Sequence, residues 1–351
     1  MKRTTNIWIV LTLLTAACGS GTVSNEPQSV ATITAEVPTS VNTATTTTKP
    51  QIVSPDTTMA EDEELVVRKA TELEYLNDGV DSWTVDVYYP EQDGSWPLVV
   101  IFPGACDNCT AGAQSSIVAA LGAVVVAPRY WHGPSSDTAT EYFIDGAHND
   151  RAACAVGYAQ SIAVEYGGLA DQTTVVGFSA GVHPAGWVGL GLADSETCPE
   201  PITHLPIGLV VGDSQFIFQN PRWDDAFQTQ PGKAIDMVDR FLNPDRWNTP
   251  PKLVVFLWST ESTLEARPID DPPLSESWVW SRDSTGTLVD DLVAVGAFED
   301  KQLDFHDNAL LLEKRMLETG ISVTNKKYPG PHTYPAEVYD AIMEVAAAGS
   351  R

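Results

Sequence analysis

A serine set among small residues is the first feature of the sequence that could do chemistry. The segment 177–181, Gly-Phe-Ser-Ala-Gly, follows an apolar run at 173–176 and precedes a helical pattern through Trp187 and Leu190. A sharp strand-to-helix turn needs glycine at both flanks and lifts the hydroxyl to the carboxyl edge of a sheet. The helix N-terminus then directs free N–H groups to where a negative oxygen would develop. The pattern predicts a nucleophile at Ser179; the alternative is a tight turn in which this serine only caps the helix.

The residues that follow Ser179 indicate a family. Residues 179–183 are Ser-Ala-Gly-Val-His, which resembles the Ser-Ala-Gly-Gly-His stretch common in carboxylesterases of the α/β-hydrolase fold, with valine in place of the second glycine. The resemblance spans about residues 70–345, and the segment 76–90 looks like the N-terminal hairpin of those esterases. It implies a serine esterase in which His183 packs between helices and takes no part in the chemistry.

Such a serine needs a base that takes its proton and later donates that proton to the leaving group. A neutral histidine suits both steps near pH 7. Of the six histidines, only His332 follows the last apolar run, in the segment 328–334, Tyr-Pro-Gly-Pro-His-Thr-Tyr. This segment resembles the loop that carries the catalytic histidine in α/β-hydrolases. We therefore expect His332 to be the base; the alternative is a turn histidine made accessible by its proline and glycine neighbours.

The third member of a triad is a carboxylate that orients the imidazole and stabilises its charged form. It follows the penultimate strand, in the chain order serine, acid, histidine. The apolar run 253–258 is the predicted penultimate strand, and Glu261 is the nearest carboxylate after it. We expect Glu261 to be the acid. Because many relatives use aspartate, three residues farther along are alternatives: Asp270, Asp271 and Asp300.

Two backbone N–H groups should stabilise the oxyanion, one from the residue after the serine and one from a distant loop. Ala180 would supply the first. The second loop follows the apolar run 98–102 and has Pro-Gly-Ala-Cys at 103–106, where the family has a His-Gly-Gly-type motif. We assign the second donor to Ala105, with Gly104 as the alternative.

Short apolar runs alternate with helical patterns from about residue 61 onward. Seven runs are predicted to be strands: 83–89, 98–102, 123–127, 173–176, 207–211, 253–258 and 321–323. Runs that are apolar throughout suit strands covered on both faces. Two helices are predicted at 150–166 and 307–318, because their apolar residues recur at helical spacing and glycines follow them. This order predicts an α/β fold with a doubly wound, mostly parallel sheet and helices on both faces. The resemblance to carboxylesterases implies that this sheet is of the α/β-hydrolase type.

Two long stretches, 214–250 and 262–300, interrupt this alternation near the expected ligand edge of the sheet. Both contain several aromatic residues, Phe241 and Trp247 among them. Long excursions at this edge are often lids or pocket walls. The alternative is that their aromatic side chains cover the flank of the sheet.

The N-terminal residues predict export and attachment to a membrane. Residues 1–17 have the layout of a bacterial secretory signal, with two basic residues, an apolar run too short to span a bilayer, and small residues at its end. The sequence Thr-Ala-Ala-Cys resembles the lipobox of bacterial lipoproteins, which implies lipidation of Cys18; the alternative is ordinary cleavage nearby. Residues 18–60 are rich in Thr, Ser and Pro, a composition that cannot bury enough surface to fold. We expect a cell-envelope lipoprotein with a flexible linker and a hydrolase domain at 61–351.

Four further cysteines in an exported chain are candidates for two disulfides: Cys106, Cys109, Cys154 and Cys198. Sequence alone leaves three pairings open. We favour a bridge between the first two, which would stiffen the oxyanion loop, and a bridge between the last two, which would join two helical regions. The first two cysteines also look like a thioredoxin-type redox motif. Thioredoxin-like domains, however, offer no reason for the motif at 177–181.

Charge limits the partners of this protein. Lys and Arg number 20 against 47 Asp and Glu, so the formal net charge is −27. So acidic a surface repels phosphate backbones and anionic headgroups, which argues against nucleic-acid binding. The expected partner is a small-molecule ester, with membrane contact only through the lipid anchor, and the chemistry needs no metal or organic cofactor. A lipase or peptidase on the same fold, or an inactive binding lipoprotein, is an alternative, and the oligomeric state is open.

Overall fold

The computed structural model describes most of the predicted hydrolase domain. Its described residues are 65–104, 110–131, 146–213, 236–259 without 238, 242 and 249, 312–328 without 314, and 334–348. All of them belong to the second of two units of the chain, Met59–Arg351. The predicted signal peptide, the lipidation site Cys18 and the linker lie outside the described residues, as do the insertion 262–300 and most of the insertion 214–250.

Eight strands form one sheet in the order β1-β2-β4-β3-β5-β6-β7-β8. Strand β2 pairs antiparallel with β1 and β4, and all other pairings are parallel. Each of the seven predicted runs overlaps a strand, so the predicted mostly parallel sheet is confirmed. The bounds are Val67–Asn77 (β1), Ser82–Pro90 (β2), Trp96–Phe102 (β3), Val124–Pro128 (β4), Gly168–Phe178 (β5), Gly208–Gly212 (β6), Leu253–Ser259 (β7) and Ser322–Tyr328 (β8).

Helices cover both faces of this sheet, as predicted. Successive side chains of a strand point to opposite faces. On β3, Leu98 and Val100 pack in one apolar cluster, whereas Val99 and Ile101 pack in another. The first cluster includes side chains of α2 and α3, and the second includes those of α1 and α4. The bounds are Gly112–Ala120 (α1), Ala147–Ile162 (α2), Val182–Gly189 (α3) and Ala336–Ala348 (α4).

The two predicted helices differ from the structure in detail. The helix expected at 150–166 is α2, which ends at Ile162 and continues as a 3-10 turn to Tyr166. Gly167 then takes a φ of +77°, the left-handed conformation in which glycine ends a helix. Of the second predicted helix, residues 312, 313 and 315–318 are described and helical, and a turn follows at 319–320.

The N-terminal hairpin begins earlier than the resemblance implied, at Val67 instead of near residue 76. Strand β1 is an edge strand with one solvated face. Its start contains many polar residues and therefore has no apolar run that would predict a strand. A register shift leaves Glu72 at a φ of +57°, and its N–H donates to the buried Asp86 carboxylate at 3.1 Å. Lys69 Nζ lies 3.1 Å from the same carboxylate. These contacts hold β1 against β2.

A disulfide joins Cys154 on α2 to Cys198, which confirms that predicted pairing. Cys198 lies in the connection between α3 and β6, so the bridge does not join two helical regions as expected. The connection also packs on the same helix face at Gly157, where an added Cβ would overlap the Glu200 carbonyl. The buried Gln160 accepts from its backbone, at 2.9 Å from Thr203 N. The preferred partner bridge, Cys106–Cys109, lies outside the described residues.

The double substitution Cys154→Ser and Cys198→Ser should lower the free energy of unfolding by about 4 kcal/mol. The bridge closes a loop with a sequence separation of 44, and its loss frees the unfolded chain. Urea unfolding measures the change. Ser161→Ala, an exposed position on the same helix, should stay within about 0.5 kcal/mol of wild type. A double variant as stable as wild type would show that the bridge adds no stability.

Candidate active site

Ser179 lies at the predicted sharp turn between a strand and a helix. Strand β5 ends at Phe178, a 3-10 turn covers Ser179–Gly181, and α3 begins at Val182. The φ of Ser179 is +54°, in the left-handed region. A residue with a Cβ is strained there by about 1–2 kcal/mol, and such strain persists where the surrounding structure enforces it. The strained turn carries the serine at the carboxyl edge of the sheet.

The two glycines of the motif are required by close backbone contacts. A Cβ on Gly177 would overlap the backbone of Gly181 and lie 2.7 Å from Ala185 Cβ. A Cβ on Gly181 would overlap the carbonyls of Phe102 and Pro103. The turn is therefore packed against the end of β3 with no room for side chains at either glycine. These contacts fix where Ser179 lies relative to the loop after β3.

The structure argues against a simple capping role for Ser179. The N-cap of the 3-10 turn is Phe178 and the N-cap of α3 is Gly181, and neither makes a side-chain cap hydrogen bond. Ser179 and Ala180 are both half-buried. The serine is thus within the turn and does not cap either helical segment.

The loop after β3 brings Gly104 next to the serine. A Cβ built on Gly104 would lie 3.0 Å from Ser179 Cβ and 3.5 Å from its Oγ. The Tyr130 hydroxyl donates to the Pro103 carbonyl at 2.8 Å, which anchors the start of the loop. The predicted donors Ala180 and Gly104 therefore flank Ser179. Ala105, the preferred second donor, lies outside the described residues.

Two tyrosines bracket the segment predicted to carry the base. Tyr328 is the last residue of β8, and Tyr334 lies just before α4. The Tyr334 ring packs on Phe178 with a centroid distance of 4.2 Å, and Phe178 directly precedes Ser179. His332 and the rest of 329–333 lie outside the described residues. The residue that follows this segment, Tyr334, thus contacts Phe178, which immediately precedes the turn that carries Ser179.

Strand β7, which the candidate acids follow in the sequence, ends at Ser259. Glu261 and its three alternatives lie outside the described residues: Asp270, Asp271 and Asp300.

A buried carboxylate that the sequence pattern did not single out lies at the same edge of the sheet. Asp213 directly follows β6, is 2% exposed and has a φ of +53°. A carboxylate immediately after an apolar run was the pattern that could have drawn attention to it. Among 47 acidic residues, that pattern alone does not separate a buried one.

A buried pair of histidines lies on α2 and on α3, the helix that follows the turn carrying Ser179. His183 on α3 is fully buried, with its Nδ1 3.3 Å from His148 Nε2 and 3.4 Å from Asn149 Oδ1. Its ring packs against Phe241 at a centroid distance of 4.8 Å. These contacts fit the packing role implied for His183. Phe241 and Trp247 are buried too, so these two aromatic residues of the first insertion pack in the core.

Burial keeps both histidines neutral. It lowers the pKa of His183 to about 3, because the charged ring loses its solvation. Burial also lowers the pKa of His148 well below its usual value, and electrostatic interactions with the neighbouring His183 ring and with the Arg151 guanidinium lower it further. The unfolded chain takes up protons at both rings below about pH 6.5, whereas the folded chain does not. Their contribution to stability is therefore present above pH 6.5 and is lost as the pH falls toward 3.

His183→Gln should make the free energy of unfolding less dependent on pH between about pH 4 and 5.5. Each such histidine contributes a slope of about 1.4 kcal/mol per pH unit, which the variant lacks. Urea unfolding at several pH values measures the slope. The control Ser161→Ala changes an exposed position that does not titrate and should keep the wild-type slope. Equal slopes for His183→Gln and wild type would contradict the neutral buried pair.

Among the described residues, no group of three or more His, Cys, Asp or Glu side chains could hold a metal ion. Within the same ranges, no helix has the length and apolar character needed to cross a membrane.

Solved esterases have a similar fold at low sequence identity. Esterase B from Lactobacillus rhamnosis, inhibited by a C4-C4 tributyrin phosphonate, aligns with a TM-score of 0.54 and 14% identity over 83% of this chain and 89% of that one. A truncated carbohydrate esterase from gut microbiota aligns with a TM-score of 0.51 and 14% identity over 83% of this chain and 98% of that one. Thermogutta terrifontis esterase 2, phosphoramylated by tabun, aligns with a TM-score of 0.51 and 14% identity over 80% of this chain and 92% of that one. No protein-family model and no curated protein sequence matches the chain. The chain therefore shares the fold of these solved esterases, and its mostly parallel sheet with helices on both faces is compatible with the α/β-hydrolase fold.

Proposed function

We propose that this protein is a serine hydrolase that cleaves carboxylic esters of small molecules through an acyl-enzyme intermediate. One observation carries the proposal: the strained turn holds Ser179 at the carboxyl edge of the sheet, directly beside Gly104 of the loop after β3. This places a hydroxyl next to backbone that can supply oxyanion donors, which is the arrangement that acyl transfer needs.

In the proposed reaction, Ser179 Oγ attacks the ester carbonyl while His332 takes its proton. His332 then protonates the leaving alcohol, and a water activated by the same imidazole cleaves the acyl-enzyme. Support for this base comes from the chain itself. Consecutive Cα atoms are 3.8 Å apart, so the Cα of His332 is within about 8 Å of that of Tyr334. The Tyr334 ring packs on Phe178, the residue before the nucleophile.

The tetrahedral oxygen is proposed to bind the Ala180 N–H and one N–H of the loop after β3, from Ala105 or Gly104. The hydrogen bond from Tyr130 to the Pro103 carbonyl supports this assignment, because it holds the loop before the donor is needed. A donor fixed in advance stabilises the transition state without reorganisation at the moment of reaction. Pro103 stands where the family motif has histidine, and its carbonyl accepts the hydrogen bond from Tyr130 that anchors the loop.

Glu261 remains our proposed acid, because it is the first carboxylate in the sequence after β7. It would accept the imidazole N–H and stabilise the ring when it is charged. Two of the similar structures carry a phosphonate or a phosphoramyl group, reagents that react with an activated nucleophile. They support a small-molecule ester as the substrate. A lipase or peptidase activity, or a binding protein without activity, would be an alternative outcome of the experiments below.

Ser179→Ala should abolish labelling by a fluorophosphonate probe and lower hydrolysis of nitrophenyl esters by at least about 10³-fold. The assay should use a panel from acetate to palmitate, which also reports the preferred acyl length. Ser322→Ala is the matched control, because this exposed serine lies at the start of β8, on the opposite edge of the sheet. Labelling that persists in Ser179→Ala would contradict the assignment of Ser179 as the nucleophile. A wild-type protein that is not labelled and does not hydrolyse esters would favour a binding role.

The same assay tests the acid. Glu261→Gln should lower kcat steeply while the free energy of unfolding stays nearly unchanged, because the amide does not stabilise a charged imidazole. Wild-type rates in this variant would move the assignment to one of the three alternative aspartates.

We also propose that the protein is exported and held at the cell envelope by a lipid on Cys18, with residues 18–60 as a flexible linker. The short apolar run after two basic residues and the lipobox-like sequence support this location. Cells expressing the full chain should incorporate radiolabelled palmitate into it, and Cys18→Ser should lose the label. A wild-type protein that incorporates no palmitate would contradict lipidation of Cys18, and ordinary signal cleavage nearby would be the remaining alternative.

A further inference from the structure

The loop after β3 is held at its first peptide by a buried tyrosine. Tyr130 follows β4, is 2% exposed, and packs its ring edge-on against Phe102 at a centroid distance of 5.5 Å. Its hydroxyl donates to the Pro103 carbonyl at 2.8 Å. A Cβ on Gly181 would overlap the same carbonyl. The carbonyl is therefore held between the tyrosine hydroxyl and the backbone of the turn that carries Ser179.

This carbonyl belongs to the peptide that leads into Gly104. The peptide is trans and planar, so the carbonyl of Pro103 and the N–H of Gly104 turn together. The pyrrolidine ring of Pro103 fixes its own φ, which leaves ψ as the remaining rotation that sets this plane. The hydrogen bond from Tyr130 restrains that rotation, because turning the plane would break the bond. One hydroxyl thus sets the orientation of the peptide.

Gly104 connects this peptide to the nucleophile. A Cβ on Gly104 would lie 3.0 Å from Ser179 Cβ and 3.5 Å from Ser179 Oγ. Both candidates for the second oxyanion donor are bonded to this glycine: its own N–H, and the N–H of Ala105 on its carbonyl carbon. An oxyanion donor is most effective when it is fixed before the charge develops. A hydroxyl that fixes the peptide entering Gly104 therefore acts on the transition state through the donor.

We propose that Tyr130 is a positioning residue: its hydroxyl orients the Pro103–Gly104 peptide and so aligns the second donor with the oxyanion formed on attack by the nucleophile. The same bond strengthens the Gly104 N–H as a donor, because hydrogen bonds in a chain polarise one another. This inference rests on the proposed function, since it assigns a role at the proposed oxyanion. Tyr130 acts through this peptide and not on the substrate.

The test compares Tyr130→Phe with wild type by kcat and KM for nitrophenyl esters, and by the Ki of an alkyl trifluoromethyl ketone. This ketone adds to an activated serine and forms a tetrahedral oxyanion, so its affinity reports on the oxyanion donors. Values of kcat are expressed per active site titrated to completion with a fluorophosphonate.

Tyr130→Phe should lower kcat by roughly 10- to 100-fold and raise the Ki of the ketone by a similar factor. KM should stay within about threefold of wild type, because acylation and deacylation both pass through an oxyanion and slow together. The variant keeps the aromatic ring and its packing on Phe102. A purely structural role would instead reduce the number of titrated sites and leave both kcat per site and Ki unchanged.

Tyr75→Phe is the matched control. It also removes a buried tyrosine hydroxyl that donates to a backbone carbonyl, that of Arg129, at 2.8 Å. Arg129 keeps a second bond to β2, from its N–H to the Thr84 carbonyl at 2.9 Å, and so stays in place. Unfolding in urea should show a similar loss of stability in the two variants, whereas only Tyr130→Phe should change kcat and Ki.

Two results would overturn the inference while the hydrolase assignment stands. The first is a kcat and a Ki within about twofold of wild type in Tyr130→Phe. The second is a lower kcat with an unchanged Ki, because the hydroxyl would then act on something other than the oxyanion. A wild-type protein that hydrolyses no ester and is not labelled at Ser179 would instead remove the proposed function, and the inference with it.

Discussion

The close approach between the serine turn and the end of β3 is the constraint on which the rest of the site depends. Gly181 lies so near the carbonyls of Phe102 and Pro103 that no side chain fits between them. This contact places the turn after β5 beside the loop after β3, because the two strands are parallel neighbours in the sheet. It also enforces the left-handed φ of Ser179, since the chain must turn within three residues to begin α3. The positions of Ser179 and of the loop after β3 thus follow from one packing contact.

Aromatic residues connect this contact to the more distant parts of the chain. Tyr130, after β4, packs edge-on against Phe102 and donates its hydroxyl to the Pro103 carbonyl. Tyr334, before α4, packs against Phe178 on the other side of the turn. Each ring contributes apolar burial, while the Tyr130 hydroxyl also satisfies a backbone carbonyl at the sheet edge. The site is thus held by elements that are distant in sequence and become neighbours only through the strand order.

Local sequence patterns predicted the sheet and the serine turn because both depend on local physics. Strands such as β4 and β6 are buried on both faces, so their sequences are apolar without interruption. Strand β1 has one solvated face, and its start was missed for that reason. Pairings between distant residues carry no local pattern: His148 and His183 are 35 positions apart, and only the packing of α2 on α3 brings them together. The buried Asp213 was missed because sequence alone does not show which of 47 acidic residues is desolvated.

The polar groups buried near the carboxyl edge of the sheet differ in what they require from the fold. The histidine pair can stay neutral, so its burial costs stability only as the pH falls. The buried Asp213 is held through its backbone: its N–H donates to the Leu257 carbonyl at 2.8 Å, which ties the end of β6 to β7. That bond exists only when β6 and β7 are in register at their ends. The geometry of this edge therefore depends on the pairing of parallel strands, whereas an apolar contact, which is not directional, would tolerate small shifts between them.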